Sequence, residues 1–358
     1  MFIHVVGARP NFMKAAPVIA AFKQRGAKQL LIHTGQHYDE LMSSVMFRQL
    51  GLPAADINLS VGSGSHAVQT AAVMTALEPL IAKQRRSVLV LYGDVNSTLA
   101  AALVGAKAGV PIAHIEAGVR SFDRSMPEEI NRLVADRVST HLLAPSVGAV
   151  TNLINEGHSA ETIHNVGNVM IDTLTMCLPA ADASVFLQNA GVRSGEPYGL
   201  VTLHRAGNVD DDRFMDEVMT ELVRVARETC HVVFPVHPRT RSRLRRISEP
   251  RLHLTEPAGY LEFIGLQQNA RVILTDSGGV QVEAAHLGVP CLTLRSTTEW
   301  TDTIAAGVNT LLGRDASRIA DAVAAAARET RRPAAMPSNW DGHAAERIAD
   351  VLLRSIET

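Results

Sequence analysis

The feature that most constrains the fold is an alternation, along the whole chain, of short apolar runs with longer, alanine-rich amphipathic segments. Strands that alternate with helices of about 10–15 residues are typical of βαβ units, which build parallel sheets. The runs are almost continuously apolar, as expected of strands that helices cover on both faces. We therefore predict an α/β protein with strands at 3–6, 30–33, 87–92, 112–115, 141–144, 199–203, 231–236, 271–275 and 291–294.

The length of 358 residues predicts two domains, because an average domain has roughly 150 residues. A polar, irregular stretch at 183–197 separates the first five predicted strands from the last four. We place one Rossmann-like domain at 1–167 and a second at 168–341, and expect a last helix within 342–358 to pack back on the first domain. Parallel sheets of this kind bind ligands beyond the carboxyl ends of their strands, so we expect the two domains to face a cleft.

Composition and charge argue against several classes of function. Lys and Arg (34) nearly balance Asp and Glu (36), and aromatic residues make up only 4% of the chain, which disfavours nucleic-acid binding. The three cysteines are widely spaced and form no CxxC pair, as is typical of a reducing compartment. No run approaches the ~18 apolar residues of a membrane span, and the first residues do not resemble a signal peptide. We expect a cytoplasmic protein without a membrane partner.

Six of the nine predicted strands are followed by an ionisable residue or a glycine-rich turn. Any one of these could be a solvated strand end, but six together indicate a ligand site. The most specific is DSGG at 276–279, where small residues let a phosphate approach the first N–H groups of the next helix. A tight turn with Ser277 as an ordinary helix cap has the same spacing. Arg9 and Lys14 would supply positive charge, unless they simply form a solvated helix start.

Carboxylates at three positions indicate acid–base chemistry. Asp94 and Glu116 follow the third and fourth predicted strands, and Glu128 opens a helix that begins at Pro127. Beside bound phosphate such groups are candidates for proton transfer, although Glu128 could also serve only the helix dipole. Among the 14 histidines, His204 is the one we expect to act, because it ends a strand and precedes an arginine.

The sequence lacks the patterns of several other chemistries. No carboxylate pair has metal-ligand spacing, and neither HExxH nor GxSxG occurs. GSGSHA at 62–67 superficially matches a dinucleotide fingerprint, but it follows at best a weak strand and lies outside the opening βα unit. We therefore predict that the protein holds neither a metal nor an organic cofactor.

Eight strings of residues resemble those of the UDP-N-acetylglucosamine 2-epimerase family, and they occur in the family's order. They are GARPNFMK (7–14), TGQHYD (34–39), YGDVNST (92–98), HIEAGVRS (114–121), PEEINR (127–132), VTLHR (201–205), PVHPRT (235–240) and DSGGVQ (276–281). This resemblance implies a GT-B fold and an isomerase that inverts carbon 2 of a UDP-N-acetylhexosamine. UDP-GlcNAc would become UDP-ManNAc through elimination of UDP to a 2-acetamidoglucal and re-addition.

The resemblance also implies roles for individual residues. Asp94, Glu116 and Glu128 match the family's catalytic carboxylates, and His204 matches its histidine at the departing UDP. A UDP-sugar substrate would be bound by Arg9, Lys14, His237, Phe263, Ser277, Gly278, Gly279 and Glu283. Phe263 could equally be an ordinary core residue, since an aromatic at this position fits both interpretations.

Two strings depart from the family's pattern. Where the non-hydrolysing bacterial enzymes have HRREN, residues 204–208 read HRAGN, and where they have TERPE, residues 298–302 read TEWTD. Trp300 cannot form an ion pair with a diphosphate, so the contact made by the family's arginine is lost or is replaced by Arg295. These changes do not affect the catalytic residues, but they leave open which substituents the sugar of the substrate carries.

Several alternatives therefore remain. One is a hydrolysing variant that releases ManNAc and UDP, and another is a UDP-2,3-diacetamido uronic acid 2-epimerase. A GT-B glycosyltransferase is the alternative from another class. A second UDP-sugar site near Gln36, His37 and Arg205 is possible on the resemblance. The homodimer is the commonest oligomer, and we expect one here, with the alanine-rich helices of the first domain as its interface.

Overall fold

The computed structural model describes residues 1–36, 40–84, 86–236, 238–241, 244, 247–329 and 335–355. The chain divides into two compact units, each built on one parallel sheet. Unit 1 comprises Met1–Met176 with Pro337–Thr358, and unit 2 comprises Cys177–Met336. The prediction of an α/β protein with two Rossmann-like parallel-sheet domains is confirmed.

The two sheets account for the strands of the described residues. These are β1 (Phe2–Val6), β2 (Gln29–His33), β3 (Ile57–Asn58), β4 (Val88–Tyr92), β5 (Ile112–Ile115), β6 (His141–Ala144), β7 (Ile163–Asn165), β8 (Tyr198–Thr202), β9 (His231–Pro235), β10 (Leu252–Thr255), β11 (Val272–Thr275), β12 (Cys291–Thr293) and β13 (Asn309–Leu311). Unit 1 has the order β3-β2-β1-β4-β5-β6-β7, and unit 2 has the order β10-β9-β8-β11-β12-β13. Phe2 of β1 lies opposite Gln29 of β2 and Val88 of β4, both in parallel register.

Helices connect these strands. They are α1 (Arg9–Gln24), α2 (Glu40–Gln49), α3 (His66–Ile81), α4 (Asn96–Ala108), α5 (Pro127–Val138), α6 (Val147–Asn155), α7 (Val169–Cys177), α8 (Ser184–Ala190), α9 (Ala206–Val209), α10 (Asp212–Glu228), α11 (Pro238–Arg241), α12 (Tyr260–Asn269), α13 (Gly278–Leu287), α14 (Thr301–Ala305), α15 (Ile319–Arg328) and α16 (Ala344–Arg354). Within the described ranges no single helix is long and apolar enough to cross a membrane; the bent pair Val169–Ala180 and Ser184–Ala190 passes that test only by length and composition.

Both faces of the central strands are buried, which explains their continuous apolar runs. In unit 2, Leu200 of β8 packs in one hydrophobic cluster with Val233 and Ile273. The next residue, Val201, packs in a separate cluster with Phe234. Because successive side chains of a strand point to opposite faces, both sets of alternating side chains of β8 face an apolar cluster.

The nine predicted strands are all present, and the four that the sequence did not predict are the four edge strands. β3 and β7 end the sheet of unit 1, and β10 and β13 end the sheet of unit 2. They have two to four residues each, and their side chains are mostly only half-buried. A short, half-covered edge strand lacks the apolar run by which central strands are recognised.

The last helix, α16, packs against α1 within unit 1. Arg25, which caps α1, donates its Nε–H to Asp350 Oδ1 of α16 at 2.9 Å. Asp172 of α7 accepts from the backbone N–H of Ala345 at 2.7 Å, and Trp340 donates its Nε1–H to the carbonyl of Pro145 at 2.8 Å. The C-terminal segment is therefore hydrogen-bonded to several elements of unit 1.

Candidate active site

A buried lysine–glutamate pair lies at the carboxyl ends of β4 and β5 in unit 1. Lys14 Nζ is 2.5 Å from Glu116 Oε1, and the two side chains are only 9% and 7% exposed. Burial raises the pKa of Glu116 above its ordinary value, and the ammonium group of Lys14 offsets only part of that rise. The second carboxylate oxygen, Oε2, has no hydrogen-bond partner among the described residues. A buried carboxyl group with a raised pKa binds its proton more tightly than an ordinary glutamate.

The backbone around this pair has the conformations that close packing requires. Gly93 has φ +59°, and a Cβ atom at that position would lie 2.6 Å from Lys14 Nζ. Glu116 itself has φ +74°, an unusual value for a residue with a side chain. Strained residues of this type cluster at functional sites, where the surrounding structure holds them in place.

Asp94 forms a second acidic centre, only half-buried, directly after Gly93. Arg132 of α5 binds its Oδ2 through Nη2 and binds Glu129 Oε2 through Nη1 at 2.7 Å. Burial alone would raise the pKa of Asp94, but the charges of Arg132 and Lys14 outweigh it and hold this pKa below its ordinary value. The pKa of Asp94 is therefore shifted down, whereas that of Glu116 is shifted up.

A buried histidine fixes the turn that carries Asp94. His114 donates Nε2–H to the carbonyl of Gly93 at 2.7 Å, and its Nδ1 lies 2.6 Å from Asp136 Oδ1. Burial would raise the pKa of Asp136, but His114 and Arg120 hold it below its ordinary value, so the carboxylate is ionised. His114 therefore joins the turn before Asp94 to Asp136 of α5.

Two of the predicted site residues in unit 1 lie at exposed helix starts. Arg9 is the first residue of α1, and Glu128 is the second residue of α5. In the described part of the structure, no hydrogen bond or ion pair joins Glu128 to the Lys14–Glu116 pair.

Gln36 belongs to a network of amide and hydroxyl groups. Its Oε1 accepts from Ser97 Oγ at 2.7 Å, and its backbone carbonyl accepts from Gln69 Nε2 at 3.4 Å. Gln69 Oε1 accepts from Asn96, and Asn131 Nδ2 joins Asn96 Oδ1 to the backbone carbonyl of Asp94 at 2.8 Å. The backbone of Gln36, a residue predicted for a second ligand site, is thus linked through Gln69, Asn96 and Asn131 to Asp94, while its side chain is hydrogen-bonded to Ser97. His37, predicted for the same site, lies outside the described residues.

In unit 2, His204 is oriented by a buried aspartate. Its Nδ1 lies 2.9 Å from Asp276 Oδ1, while 58% of the His204 side chain is exposed. Asp276 also accepts from the backbone N–H groups of His204 and Arg205 and from Asn208 Nδ2. Burial would raise the pKa of Asp276, but the hydrogen bond and charge of His204 outweigh it, so this pKa is lowered. The Asp276 carboxylate therefore fixes the orientation of the His204 ring through Nδ1.

The glycine-rich start of α13 follows Asp276 directly. Ser277 occupies the N-cap position, but within the described residues its hydroxyl makes no capping hydrogen bond, so the ordinary capping interpretation is not supported. A Cβ atom on Gly278 would lie 2.3 Å from Glu299 Oε1 and 3.0 Å from Trp300 Nε1. The small residue at this position therefore makes room for Glu299 and Trp300. Gly279 and Ser277 are half-buried.

Glu283 lies two turns into α13 and is 2% exposed. Tyr260 donates its hydroxyl to Glu283 Oε1 at 3.0 Å, and Gln267 donates Nε2–H to Oε2 at 2.6 Å. Burial raises the pKa of Glu283 despite these two bonds. Phe263 is half-buried and packs against the cluster around Leu200, and His237 lies outside the described residues.

Several residues of this arrangement were not predicted as site residues. Arg132 and Asp276 occur in the strings PEEINR and DSGGVQ, but nothing in their spacing says which carboxylate or imidazole they contact. Tyr260 and Gln267 precede Glu283 by 23 and 16 residues, so only the fold brings them together. Among the described residues, no group of three or more His, Cys, Asp or Glu side chains is placed to hold a metal ion.

Two Rossmann-like parallel-sheet units are the architecture of the GT-B fold. The model of the UDP-N-acetylglucosamine 2-epimerase family matches residues 20–353. A UDP-N-acetylglucosamine 2-epimerase homolog of Methanococcus maripaludis is 41% identical over 362 residues, with 98% of both chains covered. The UDP-2,3-diacetamido-2,3-dideoxy-D-glucuronate 2-epimerase of Pseudomonas aeruginosa is 40% identical, again with 98% of both chains covered.

Solved structures agree with this. The crystal structure of the Methanocaldococcus jannaschii UDP-GlcNAc 2-epimerase in complex with UDP-GlcNAc and UDP has a TM-score of 0.90 and 38% identity, and covers 99% of this chain and 100% of that one. The chain belongs to the UDP-N-acetylglucosamine 2-epimerase family, whose members are isomerases.

Proposed function

We propose that this protein inverts carbon 2 of a UDP-N-acetylhexosamine and converts UDP-GlcNAc to UDP-ManNAc. The observation that carries this proposal is the cluster of Lys14, Glu116, Asp94 and Arg132, which gives two carboxylates opposite changes in pKa. Two carboxyl groups whose pKa values are shifted apart can take different roles, one exchanging a proton and the other staying ionised. Relatives that align with 97–98% of this chain carry the name of this activity or of its diacetamido-glucuronate counterpart.

The carbon 2 proton has no carbonyl beside it, so simple enolisation is not available. We expect the bond between carbon 1 and the UDP oxygen to break with its electron pair on UDP. A base takes the carbon 2 proton, and the electrons of that C–H bond form the double bond of a 2-acetamidoglucal. UDP then adds back while a proton reaches carbon 2 from the opposite face. No external oxidant or cofactor enters this balance.

Glu116 and Glu128 are the proposed proton-transfer groups on the two faces, and Asp94 is the proposed permanent anion. Because the pKa of Glu116 is raised and that of Asp94 is lowered, the carboxylate of Glu116 is the more basic of these two. Because the pKa of Asp94 is lowered, it stays ionised and would stabilise positive charge that develops at carbon 1.

We assign the UDP portion to unit 2. His204, with Nδ1 at Asp276, would present Nε2 to the departing β-phosphate oxygen. The first N–H groups of α13 would bind the diphosphate, as anions bind at helix starts. Glu283 is proposed for the ribose hydroxyls. The further proposed contacts, taken from the family's pattern, are Arg9, Lys14, His237, Phe263, Ser277, Gly278 and Gly279.

Incubation of the protein with UDP-GlcNAc in deuterated water tests the proposal. The expected product is UDP-ManNAc with deuterium at carbon 2, detected by NMR. Glu116→Gln should lower the exchange rate by about 10²–10⁴-fold while UDP binding is retained, as for loss of a general base. Glu161→Gln, an exposed position of unit 1, is the matched control and should change nothing. Failure of both conversion and exchange would reject this substrate.

A second candidate is a UDP-2,3-diacetamido uronic acid, favoured by the 40% identity to the Pseudomonas aeruginosa enzyme over 98% of both chains. Turnover of the two sugars by the same preparation decides between them. Release of free ManNAc and UDP would indicate a hydrolysing enzyme. Acceptor-dependent release of UDP without exchange at carbon 2 would indicate a glycosyltransferase.

We also propose a homodimer that uses an exposed face of α3. Val68, Ala71, Ala72 and Thr75 share one face of this helix by their spacing, and Val68 is 64% exposed. Val68→Glu should give a monomer in light scattering after size exclusion. Val185→Glu, at an equally exposed valine in unit 2, is the control and should leave the mass unchanged. A dimer that survives Val68→Glu would reject this interface.

The product and compartment follow as further proposals. UDP-ManNAc is an activated glycosyl donor, so a glycosyl transfer to a polysaccharide is the class of reaction that would consume it. The three cysteines, Cys177, Cys230 and Cys291, are buried and free, which favours a reducing compartment such as the cytoplasm. Fractionation of cells that express the protein, followed by immunoblotting, checks the location.

A further inference from the structure

A carboxylate of unit 2 lies where an anionic ligand is expected. Glu299 Oε1 is 2.3 Å from the position that a Cβ atom of Gly278 would take, at the first residue of α13. Helix starts attract anions through their free N–H groups and the helix dipole. Glu299 is thus a negative charge of the protein itself beside the helix start that is proposed to bind diphosphate.

Two arginines flank the same carboxylate. Arg295 Nη2 is 2.6 Å from Glu299 Oε2, and Arg205 Nη2 is 3.7 Å from Glu299 Oε1. Arg205 is held toward α13 because its Nε–H donates to the backbone carbonyl of Asp276 at 3.0 Å. Both cations therefore meet at one carboxylate beside the first turn of α13.

The guanidinium group of Arg295 is incompletely satisfied. Its side chain is 6% exposed, and among the described residues neither Nη1 nor Nη2 has a hydrogen-bond partner, although Nη2 makes the short ionic contact with Glu299. A buried guanidinium with unused donors is costly unless an acceptor completes it. A phosphate oxygen is an acceptor that an arginine fork fits well.

We propose that Glu299 is a built-in competitor of the substrate's diphosphate for Arg295 and Arg205. In the ligand-free protein the carboxylate neutralises one of the two positive charges, and an arriving β-phosphate takes over the arginine donors. Arg295 then supplies the positive charge that Trp300, buried at the neighbouring position, cannot supply. This inference rests on the proposed binding of UDP at α13 and adds the residues that set its affinity.

The competition has a consequence for turnover. UDP has to leave the sugar and return to it within one reaction cycle, so binding UDP more tightly than the transition state would slow release of the product. The negative charge of the Glu299 carboxylate lowers the affinity for UDP while both arginines stay in place. Glu299 would therefore tune affinity, while Arg295 and Arg205 supply it.

Calorimetric titration of the full-length protein with UDP tests the proposal. Glu299→Gln removes the competing charge and should bind UDP several-fold more tightly, whereas Glu299→Asp should stay near the wild type. Arg295→Met should weaken UDP at least tenfold. Uridine, which has no phosphate, should bind all these variants alike. Asp302→Asn, a half-buried acid three residues further on, is the control and should not change the Kd for UDP.

The sign of the Glu299→Gln effect separates competition from a structural role. If Glu299 only held its neighbours in place, this variant would bind UDP equally or more weakly, and either result overturns the proposal. Thermal unfolding of each variant checks that the fold is kept. Loss of carbon 2 exchange with an intact UDP response would reject the proposed function alone. An unchanged Kd for UDP together with normal exchange would reject this inference alone.

Discussion

Replacement of Lys14 by methionine is the most direct test of the acid–base cluster. The change leaves the buried Glu116 carboxylate without the ammonium group that now lies 2.5 Å from Oε1. Removal of one partner of a buried pair typically costs about 3–5 kcal/mol, because the other charge stays buried and uncompensated. Without the ammonium group, the pKa of Glu116 should rise further above the value that burial already raises.

The assay is the rate of deuterium incorporation at carbon 2, measured as kcat from pH 5 to 10. A carboxylate base works above its pKa, so the acidic limb of the profile should move to higher pH, and activity lost at pH 7 should return at alkaline pH. The free energy of unfolding should also depend on pH. A carboxyl group whose pKa is higher in the folded protein than in the unfolded chain favours the folded protein at low pH, and this contribution is lost as the pH rises through the folded-state pKa. Lys23→Met, at an exposed position of the same helix, is the control. A loss of activity equal at every pH would refute this coupling and leave Lys14 only a role in phosphate binding.

Further predictions concern the backbone, His204 and the core. Gly93→Ala and Gly109→Ala, both at positive φ, should each cost about 1–2 kcal/mol of unfolding free energy. Only Gly93→Ala should also abolish exchange, because its Cβ would lie 2.6 Å from Lys14 Nζ while Gly109 has open space; equal activities would contradict this. Asp276→Asn should lower kcat by up to about 10²-fold through misorientation of His204, with UDP still bound; an unchanged kcat would remove Asp276 from the site. Burial lowers the pKa of His4 to about 3 from 6.5, so only the unfolded chain is protonated between these values. His4 should therefore contribute a fall of about 1.6 kcal/mol in the unfolding free energy between pH 6.5 and 5, and His4→Gln should lack this contribution in chemical denaturation.

The central strands could be predicted from sequence because they are covered on both faces. Every residue of β1, β4 and β5 is buried, and all of them are apolar except His4 and His114. β3 and β13, at the edges, have only one neighbouring strand, and tertiary pairing rather than composition makes them strands. β13 reads Asn309–Leu311, and Asn309 Nδ2 donates to Gln281 Oε1 at 2.9 Å, a contact with no signal in the local sequence.

The candidate site likewise contains residues that could be predicted from the sequence and residues that could not. Asp94, Glu116 and His204 could be selected because strand ends of a parallel sheet meet at one edge. Their partners could not, since Arg132 is 38 residues from Asp94 and Asp276 is 72 residues from His204. The position of Glu299 is a further case, because a carboxylate near a glycine-rich helix start contradicts the simple expectation that this place is kept free for phosphate.

One turn of α5 accounts for much of the difference between the two carboxylates. Glu129 accepts the backbone N–H groups of Ser121 and Phe122 at 3.0 Å and so ties the preceding loop to this helix. Arg132, three residues on, lies on the same side and joins Glu129 to Asp94. Asp94 receives this guanidinium directly, whereas the hydrogen bond to Glu116 comes from Lys14. If Arg132 were lost, Asp94 would keep its burial but lose its strongest opposing charge. Its pKa would then rise toward that of Glu116, and the cluster would lose the asymmetry on which directed proton transfer depends.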